Sequence, residues 1–283
     1  MNKKLNAKSI ITLIIAILAV FLVWLDGGLE EKLFKVEVHF IDVGQGDSIY
    51  VKTPSRNILI DGGDRGNTTL NYLKTYDVDH LDLVIGTHPH SDHIGGLINV
   101  LQEIEVNEVI DPGIVHTSKT FEDYLTIIDE KDIIFTEGRA GTNKNLGNGV
   151  RLEIVHPTDP SNRDLNNASI VARLIVDDIS FLFTGDAEIL SENEILSHGY
   201  KVETTILKVG HHGSSTSTGD DFLRAVLPEA AIIMCGEGNS YGHPHRETLG
   251  KLAELDIDVY RTDKKGTIIV RTDGSYYDVS TER

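Results

Sequence analysis

The sequence is poor in cysteine and in basic residues. Its single cysteine, Cys235, excludes a disulfide within the chain and a thiolate metal cluster, and its place at the end of an apolar run favours a small core residue over a nucleophile. The chain has 26 lysines and arginines against 44 aspartates and glutamates, a formal net charge of −18. This acidity counts against tight nucleic-acid binding by the chain alone. It does not exclude nucleic-acid cleavage, because divalent cations would be the largest local charges in such a site.

Long apolar runs are scarce, and the main one is Ile10 to Leu25, broken only by Thr12. Lysines precede the run and acidic residues follow it, so we predict a signal-anchor helix with the remainder of the chain outside the membrane. The run is shorter than the ~20 residues that cross a bilayer comfortably. A cleaved signal peptide and a secreted protein are the alternative, although no Ala-x-Ala site follows the run. We therefore divide the chain into an anchor and stalk, 1–33, and one large domain, 34–283.

The large domain has two halves with the same rhythm. Each half starts with strands joined by tight turns, such as the alternating segment Val36 to Val43, and continues with strands and helices in alternation. Residues 138–149, rich in glycine and asparagine, are interpreted as a surface loop. This order predicts an α/β domain in which two mixed sheets pack face to face with helices outside.

The most informative stretch is Thr87 to Gly96, which places three histidines and an aspartate within six positions: His88, His90, Asp92 and His93. An apolar run, Leu81 to Gly86, comes directly before it. This order predicts a buried strand that carries a metal site at its tip. Imidazole and carboxylate together suit Zn²⁺, Mn²⁺ or iron, and the tight spacing suggests two adjacent metals.

Further ligand-type residues follow later strands. Asp186 comes after the apolar segment Ser180 to Phe183, where it could bridge two metals or cap a helix. His211 and His212 end the strand that begins at Thr204. Because neighbouring residues point in different directions, we expect one histidine of the pair to be a ligand and the other to face substrate.

Three other positions are candidates for supporting roles. His243 and His245 flank Pro244 in a rigid loop that could close over the site and contact an anionic oxygen. Asp61 ends a strand and is predicted to orient a ligand histidine from behind. His156, at the end of another strand, is a further candidate ligand.

Together these motifs resemble the metallo-β-lactamase superfamily, and finer features resemble the C-terminal hydrolase domain of the ComEC competence proteins. The finer features are Phe40 to Ser48, Thr184 to Asp186, Leu207 to Ser214 and Tyr241 to His245. The resemblance extends from Val36 to Val279 and implies a four-layer αββα sandwich with a two-metal site at one edge. It also implies the metal ligands His88, His90, Asp92, His93, Asp186, and a histidine from the pair His211 and His212.

The sequence departs from the superfamily at one ligand. Many members carry another histidine shortly before the strand that leads to the Asp186-type residue, whereas this chain has no histidine between Asp164 and Ser169. One metal position would then be weak, occupied by water, or served by Asp164, Asn167 or His156.

The expected function is hydrolysis with two divalent metal ions, Zn²⁺ or Mn²⁺. The resemblance favours a phosphodiesterase or nuclease that uses a metal-bound hydroxide outside the membrane, acting on a phosphodiester, a small molecule or single-stranded DNA. We expect Asp92 to orient the hydroxide, and His212 and His243 to hold a phosphoryl oxygen or protonate the leaving group. The alternatives are a hydrolase of a β-lactam, lactone or thioester, and a surface binding protein without activity.

Overall fold

The computed structural model of the protein describes residues 34–161 and 164–283. The predicted anchor, including the run Ile10 to Leu25, lies outside these residues. Within the described ranges, no helix has both the length and the apolar character needed to cross a bilayer.

The described residues form seventeen strands and eight α-helices. The strands are β1 Val36–Phe40, β2 Ile49–Lys52, β3 Asn57–Ile60, β4 His80–Leu81, β5 Leu83–Ile85, β6 Glu105–Val106, β7 Glu108–Asp111, β8 Ile134–Glu137, β9 Asn143–Gly147, β10 Val150–His156, β11 Val171–Val176, β12 Ile179–Phe183, β13 Ile206–Lys208, β14 Ala230–Ile233, β15 Asp258–Arg261, β16 Ile268–Thr272 and β17 Tyr277–Thr281. The helices are α1 Thr68–Thr75, α2 Ser91–Ile94, α3 Leu97–Glu103, α4 Lys119–Glu130, α5 Ile189–Ser197, α6 Asp220–Val226, α7 Arg246–Glu254 and α8 Thr262–Lys265.

Two large mixed sheets form the centre of the domain. The first has the strand order β17-β16-β1-β2-β3-β5-β7-β8, and the second has the order β15-β14-β13-β12-β11-β10-β9. Apolar side chains from both sheets, among them Phe40 and Phe181, form one buried core. Helices α1, α3 and α4 cover the outer face of the first sheet, and α5, α6 and α7 cover that of the second. The predicted αββα sandwich is confirmed.

The prediction for 138–149 was partly wrong, because Asn143–Gly147 is a strand that pairs antiparallel with β10. This strand ends the second sheet and most of its side chains are exposed or half-buried. An edge strand of this kind needs no alternation of apolar residues, so its polar sequence does not indicate a strand.

The candidate site lies where parallel strands end. Strand β5 leads into the histidine-rich stretch, and β12, β13 and β14, which are parallel to one another, lead into the later clusters. Because parallel strands end at the same edge of a sheet, the segments after β12, β13 and β14 meet at one edge of the second sheet. The segment after β5 reaches the same place from the first sheet, which packs against the second.

Candidate metal centre

The carboxylate of Asp186 lies between two groups of imidazoles and is only 2% exposed. Its Oδ1 is 3.2 Å from Nε2 of His93 and 3.5 Å from Nε2 of His212. Its Oδ2 is 3.8 Å from Nε2 of His88 and 3.7 Å from Nε2 of His211. Each oxygen of one carboxylate therefore faces its own pair of ring nitrogens.

We call four residues the inner cluster: His93 and His212, whose Nε2 atoms face Oδ1 of Asp186, Asp186 itself, and Asp92, which approaches His212. The Oδ2 of Asp92 lies 3.5 Å from Nε2 of His212. Among the described residues, Nε2 of His93, Nε2 of His212 and Oδ1 of Asp186 are buried and make no hydrogen bond. Buried polar atoms without a partner are rare, and these converge on one point. Imidazole and carboxylate donors arranged in this way fit a divalent metal such as Zn²⁺ or Mn²⁺.

We call the residues around Oδ2 of Asp186 the outer cluster: His88, His90, His211 and the same Asp186. Ligand atoms of His88, His90 and Asp186 all lie within 4.8 Å of one another. Nε2 of His88 is 2.9 Å from Nδ1 of His90. Its imidazoles are more open than those of the inner cluster, since His90 is half-buried and the side chain of His211 is 21% exposed. Three imidazoles and a carboxylate also fit a divalent metal.

Buried carboxylates stand behind the imidazoles of the inner cluster. Nδ1 of His93 is 2.8 Å from Oδ2 of Asp61, which is the contact expected of Asp61 from the sequence. Nδ1 of His212 is 2.9 Å from the carbonyl oxygen of Met234 and 3.3 Å from Oδ1 of Asp47. Acceptors on the Nδ1 side fix the ring and leave Nε2 available for a metal.

A buried ion pair between Asp47 and Lys208 completes this support, and the sequence analysis missed it. Lys208 is fully buried, and its Nζ donates to Oδ2 of Asp47 and, at 2.8 Å, to the carbonyl oxygen of Gly185. Asp47 lies within reach of the inner ligand atoms, but its Oδ2 pairs with Lys208 and its Oδ1 faces the Nδ1 side of His212, away from Nε2. We therefore assign Asp47 a supporting role. A lysine inside an apolar strand was the available signal, because such a charge requires a partner.

The carboxylates dominate the electrostatics of the inner cluster. Burial alone would lower the pKa of His93, but Asp186 and Asp61 outweigh it and raise that pKa well above the usual value. Burial would likewise lower the pKa of His212, and Asp186 with Asp47 raises it well above the usual value. The metal-free site thus attracts positive charge, which a metal ion would supply in place of the protons.

The outer cluster is supported by more exposed groups. Nδ1 of His211 lies 3.1 Å from Oε1 of Glu188. The other oxygen of Glu188, Oε2, accepts a hydrogen bond of 3.1 Å from Nδ2 of Asn167. Nδ2 of Asn167 also donates to Asp164 at 2.8 Å. Asp164 and Asn167, considered above as replacements for a missing ligand, therefore lie behind His211. His211 itself approaches Asp186 where the sequence suggested a gap.

His156 lies outside both clusters. Its Nδ1 is 2.8 Å from the carbonyl oxygen of Ser169, and its Nε2 is 3.9 Å from Glu194. The hydroxyl of Ser169 accepts a hydrogen bond of 3.2 Å from the backbone N–H of Asp186. His156 thus supports the segment before Asp186, and the structure does not support its selection as a candidate ligand.

A left-handed turn brings both His211 and His212 to Asp186. Their φ angles are 46° and 54°, a conformation that costs non-glycine residues about 1–2 kcal/mol each. We expected one histidine of the pair to be a ligand and the other to face substrate; in the structure Nε2 of each ring approaches a different oxygen of Asp186. Gly213 continues the turn against the next loop, where its carbonyl accepts from the N–H of His245 at 2.9 Å. A Cβ at Gly213 would lie 2.6 Å from Cβ of Pro244.

A cavity of about 240 Å³ opens over the two clusters. Its lining residues are Gln45, His90, Ser91, Asp92, Asp186, His211, His212, Tyr241 and His243. Nδ1 of His243 is buried and makes no hydrogen bond among the described residues, and burial followed by the neighbouring His212 and His211 lowers the pKa of His243 to about 4. His243 therefore presents a neutral ring to the cavity. Nδ1 of His245 instead accepts from the backbone N–H of Ser215 at 2.9 Å, so His245 anchors the loop.

Comparison with known proteins identifies related sequences. The chain is 32% identical over 256 residues to ComE operon protein 3 of Bacillus subtilis (strain 168), covering 83% of this chain and 33% of that protein. It is 29% identical over 231 residues to competence protein ComA of Neisseria gonorrhoeae, covering 80% of this chain and 31% of that protein. The chain therefore spans about a third of the length of these relatives.

Solved structures show the same fold. One example is Igni18, a metallo hydrolase from the archaeon Ignicoccus hospitalis, with a TM-score of 0.54 and 17% identity over 82% of this chain and 98% of that one. Residues 41–237 match the family model described as the Metallo-beta-lactamase superfamily. The αββα sandwich, the ligand-type residues at its edge and these matches agree, and the chain belongs to the metallo-β-lactamase superfamily.

Proposed function

We propose that this chain is a dinuclear metal-dependent phosphodiesterase or nuclease. The observation that carries the proposal is the pair of ligand groups on opposite oxygens of Asp186, at the base of an open cavity. His93, His212 and Asp92 would hold one ion, and His88, His90 and His211 the other. Asp186 contacts both sets and would bridge the ions. Bound Zn²⁺ or Mn²⁺ would supply Lewis acidity and lower the pKa of a water molecule at the site.

The side chains around the cavity would position the substrate. Asp92 has a side chain that is 28% exposed and lines the cavity, so its carboxylate can orient an attacking water molecule. The neutral ring of His243 can donate one N–H to an anionic oxygen of the substrate. Gln45 and Ser91 add uncharged polar groups to the same wall. The residues available for substrate are thus hydrogen-bonding groups that suit a phosphodiester.

The relatives favour a nucleic-acid substrate. One of them is named a competence protein, and competence is the uptake of DNA by cells. We therefore propose single-stranded DNA as a substrate. We also propose that the run Ile10 to Leu25 holds the domain at the outer face of the membrane. Resistance of the full-length protein to carbonate extraction from membranes, and its digestion by protease added outside, would support this location.

One observation favours a second candidate, hydrolysis of a β-lactam, lactone or thioester. His211 places a third imidazole in the outer cluster, and a third ligand histidine favours this candidate. A substrate comparison separates the two candidates. Metal-loaded protein should cleave bis-p-nitrophenyl phosphate and single-stranded DNA, and should leave nitrocefin and a thioester intact.

Metal content and one matched pair of variants test the assignment directly. Elemental analysis should find about two ions per chain, as expected for a two-metal site. Asp92→Ala should abolish hydrolysis without unfolding the protein, while Asp178→Ala, a change at an exposed aspartate away from the cavity, should leave hydrolysis unchanged. Protein without metal affinity, or full turnover by Asp92→Ala, would refute the proposal. Turnover of nitrocefin or the thioester alone would favour the second candidate.

A further inference from the structure

An exposed aromatic ring stands at the rim of the cavity. The side chain of Tyr241 lines the cavity, and the residue is 64% exposed. One face of its ring stacks on His243, with the ring centroids 5.6 Å apart and the planes 20° apart. The ring centroids of His243 and His212 are 6.2 Å apart, and their planes are 32° apart. A row of three rings therefore runs from the inner cluster to solvent.

The loop that carries Tyr241 is held in place by Asn239. Nδ2 of Asn239 donates to the carbonyl oxygens of Gly236 at 2.9 Å and His243 at 2.7 Å. Its Oδ1 accepts from the backbone N–H of Tyr241 at 3.2 Å and of His243 at 3.0 Å. The side chain of Asn239 thus donates two hydrogen bonds and accepts two, and these fix the backbone that carries the ring of Tyr241. The exposed ring is thus presented in a prepared position, which reduces the entropy lost when a ligand binds it.

The charge of the cavity limits how a nucleic acid could bind there. Its lining contains neither lysine nor arginine, and the whole chain has a formal net charge of −18. A basic groove, the usual source of affinity for a phosphate backbone, is therefore absent from the lining. Stacking of a base on an aromatic ring does not depend on charge and tolerates any base sequence. An unpaired base can offer its face in this way, whereas a base within a duplex cannot.

We infer that Tyr241 is a stacking platform for a nucleobase next to the cleaved phosphodiester of a single-stranded nucleic acid. The inference rests on the proposed phosphodiesterase function of the same site. It assigns Tyr241 to substrate binding and leaves the chemistry to the residues below it. Tyr276 offers a matched control, because it is also exposed and stacks on a neighbouring ring, that of Tyr277, but does not line the cavity.

Binding is tested with a short oligothymidylate that contains one 2-aminopurine and phosphorothioate linkages, which slow its hydrolysis. The fluorescence of 2-aminopurine falls when the base stacks on an aromatic ring. Full-length, Mn²⁺-loaded wild type, Tyr241→Phe and Tyr276→Ala should quench this fluorescence to the same extent. Tyr241→Ala should lose the quenching and bind about tenfold more weakly. Equal quenching by wild type and Tyr241→Ala would overturn the inference.

Kinetics separate this inference from the proposed function. For Tyr241→Ala, kcat/KM should fall about tenfold more with a single-stranded oligonucleotide than with methyl p-nitrophenyl phosphate, which has no base. An equal fall with both substrates would show that Tyr241 only supports His243, and would overturn the platform. If wild type cleaves neither substrate, the phosphodiesterase proposal fails, and the fluorescence result alone decides whether Tyr241 stacks on a base. Tyr241→Phe, which keeps the ring, controls for misfolding.

Discussion

The inner and outer clusters share one carboxylate but have different surroundings. The imidazoles of the inner cluster are fully buried or nearly so, and buried Asp61 and Asp47 stand behind them. In the outer cluster His211 is partly exposed, and the group behind it, Glu188, has a side chain that is 23% exposed. A buried carboxylate behind a histidine raises the basicity of the imidazole and fixes its orientation more than an exposed carboxylate does. We therefore expect the inner cluster to bind a metal more tightly than the outer cluster.

The largest expected effect comes from the residue that the clusters share. Asp186→Asn should weaken metal binding at both, because each cluster loses a charged oxygen, and hydrolysis should fall to background. Isothermal titration with Mn²⁺ and a hydrolysis assay measure the two effects. Asp178→Asn, at an exposed site, serves as the control. Loss of only one ion would show that Asp186 belongs to a single cluster.

The difference between the clusters is tested by changing the carboxylates behind them. Asp61→Asn should lower the metal affinity of the inner cluster by about 10- to 100-fold, since it removes the charge behind His93. Glu188→Gln should have a smaller effect, under about tenfold, because solvent already screens that carboxylate. Titrations of the two variants side by side give the comparison. A larger loss for Glu188→Gln would reverse our ranking of the clusters.

The buried pair Asp47 and Lys208 should matter most for stability. Asp47→Asn leaves the charge of Lys208 without its partner in the interior and should cost about 3–5 kcal/mol in the free energy of unfolding. Lys208→Met in the same chain should recover much of this loss, because both charges are then gone. Urea denaturation of the metal-free single and double variants measures the coupling. Additive losses would contradict a buried ion pair.

The last prediction concerns Glu192, a buried carboxylate outside the clusters. Burial raises the pKa of Glu192 to about 7, against the opposing hydrogen bonds from the N–H groups of Gly219 and Thr218. A raised pKa means that the folded state binds a proton that the unfolded state has lost. Stability should therefore fall as pH rises between about 4.5 and about 7, by up to about 3 kcal/mol.

Denaturation curves of the wild type and of Glu192→Gln test this slope at about pH 5 and about pH 8. Glu192→Gln should remove the contribution of this group and flatten the pH dependence. An unchanged slope in the variant would show that other groups cause it.

Much of the fold, and the residues that gather at the candidate site, could be predicted from the sequence. The period-two strands and the alternation of strands and helices predicted the sandwich, because burial of apolar faces dictates both patterns. The histidine-rich stretch and Asp186 stood out because each follows an apolar strand. These signals are local, and a sequence displays local signals directly.

The remaining features depend on contacts between distant segments. Asp47 and Lys208 are far apart in the chain. A lysine in an apolar strand indicates that a partner exists, but the sequence does not show which residue it is. The shared approach of His211 and His212 depends on a left-handed backbone at both residues, which is uncommon for any residue except glycine. His156 has the same local signal as a ligand, but its ring bonds to the backbone at Ser169. Local pattern alone could not separate these cases.

The contact between Gly213 and Pro244 has a mechanical consequence. This turn and the loop that carries Tyr241 pack closely, with no room for a methyl group at Gly213, and a hydrogen bond joins the N–H of His245 to the carbonyl of Gly213. The loop would have to break this bond to swing away from the turn. With this contact kept, the entrance would be a fixed aperture that admits substrates of the proposed hydrolase by size and shape. An engineer who wishes to change that selectivity would have to transplant the turn and the loop together, as one part.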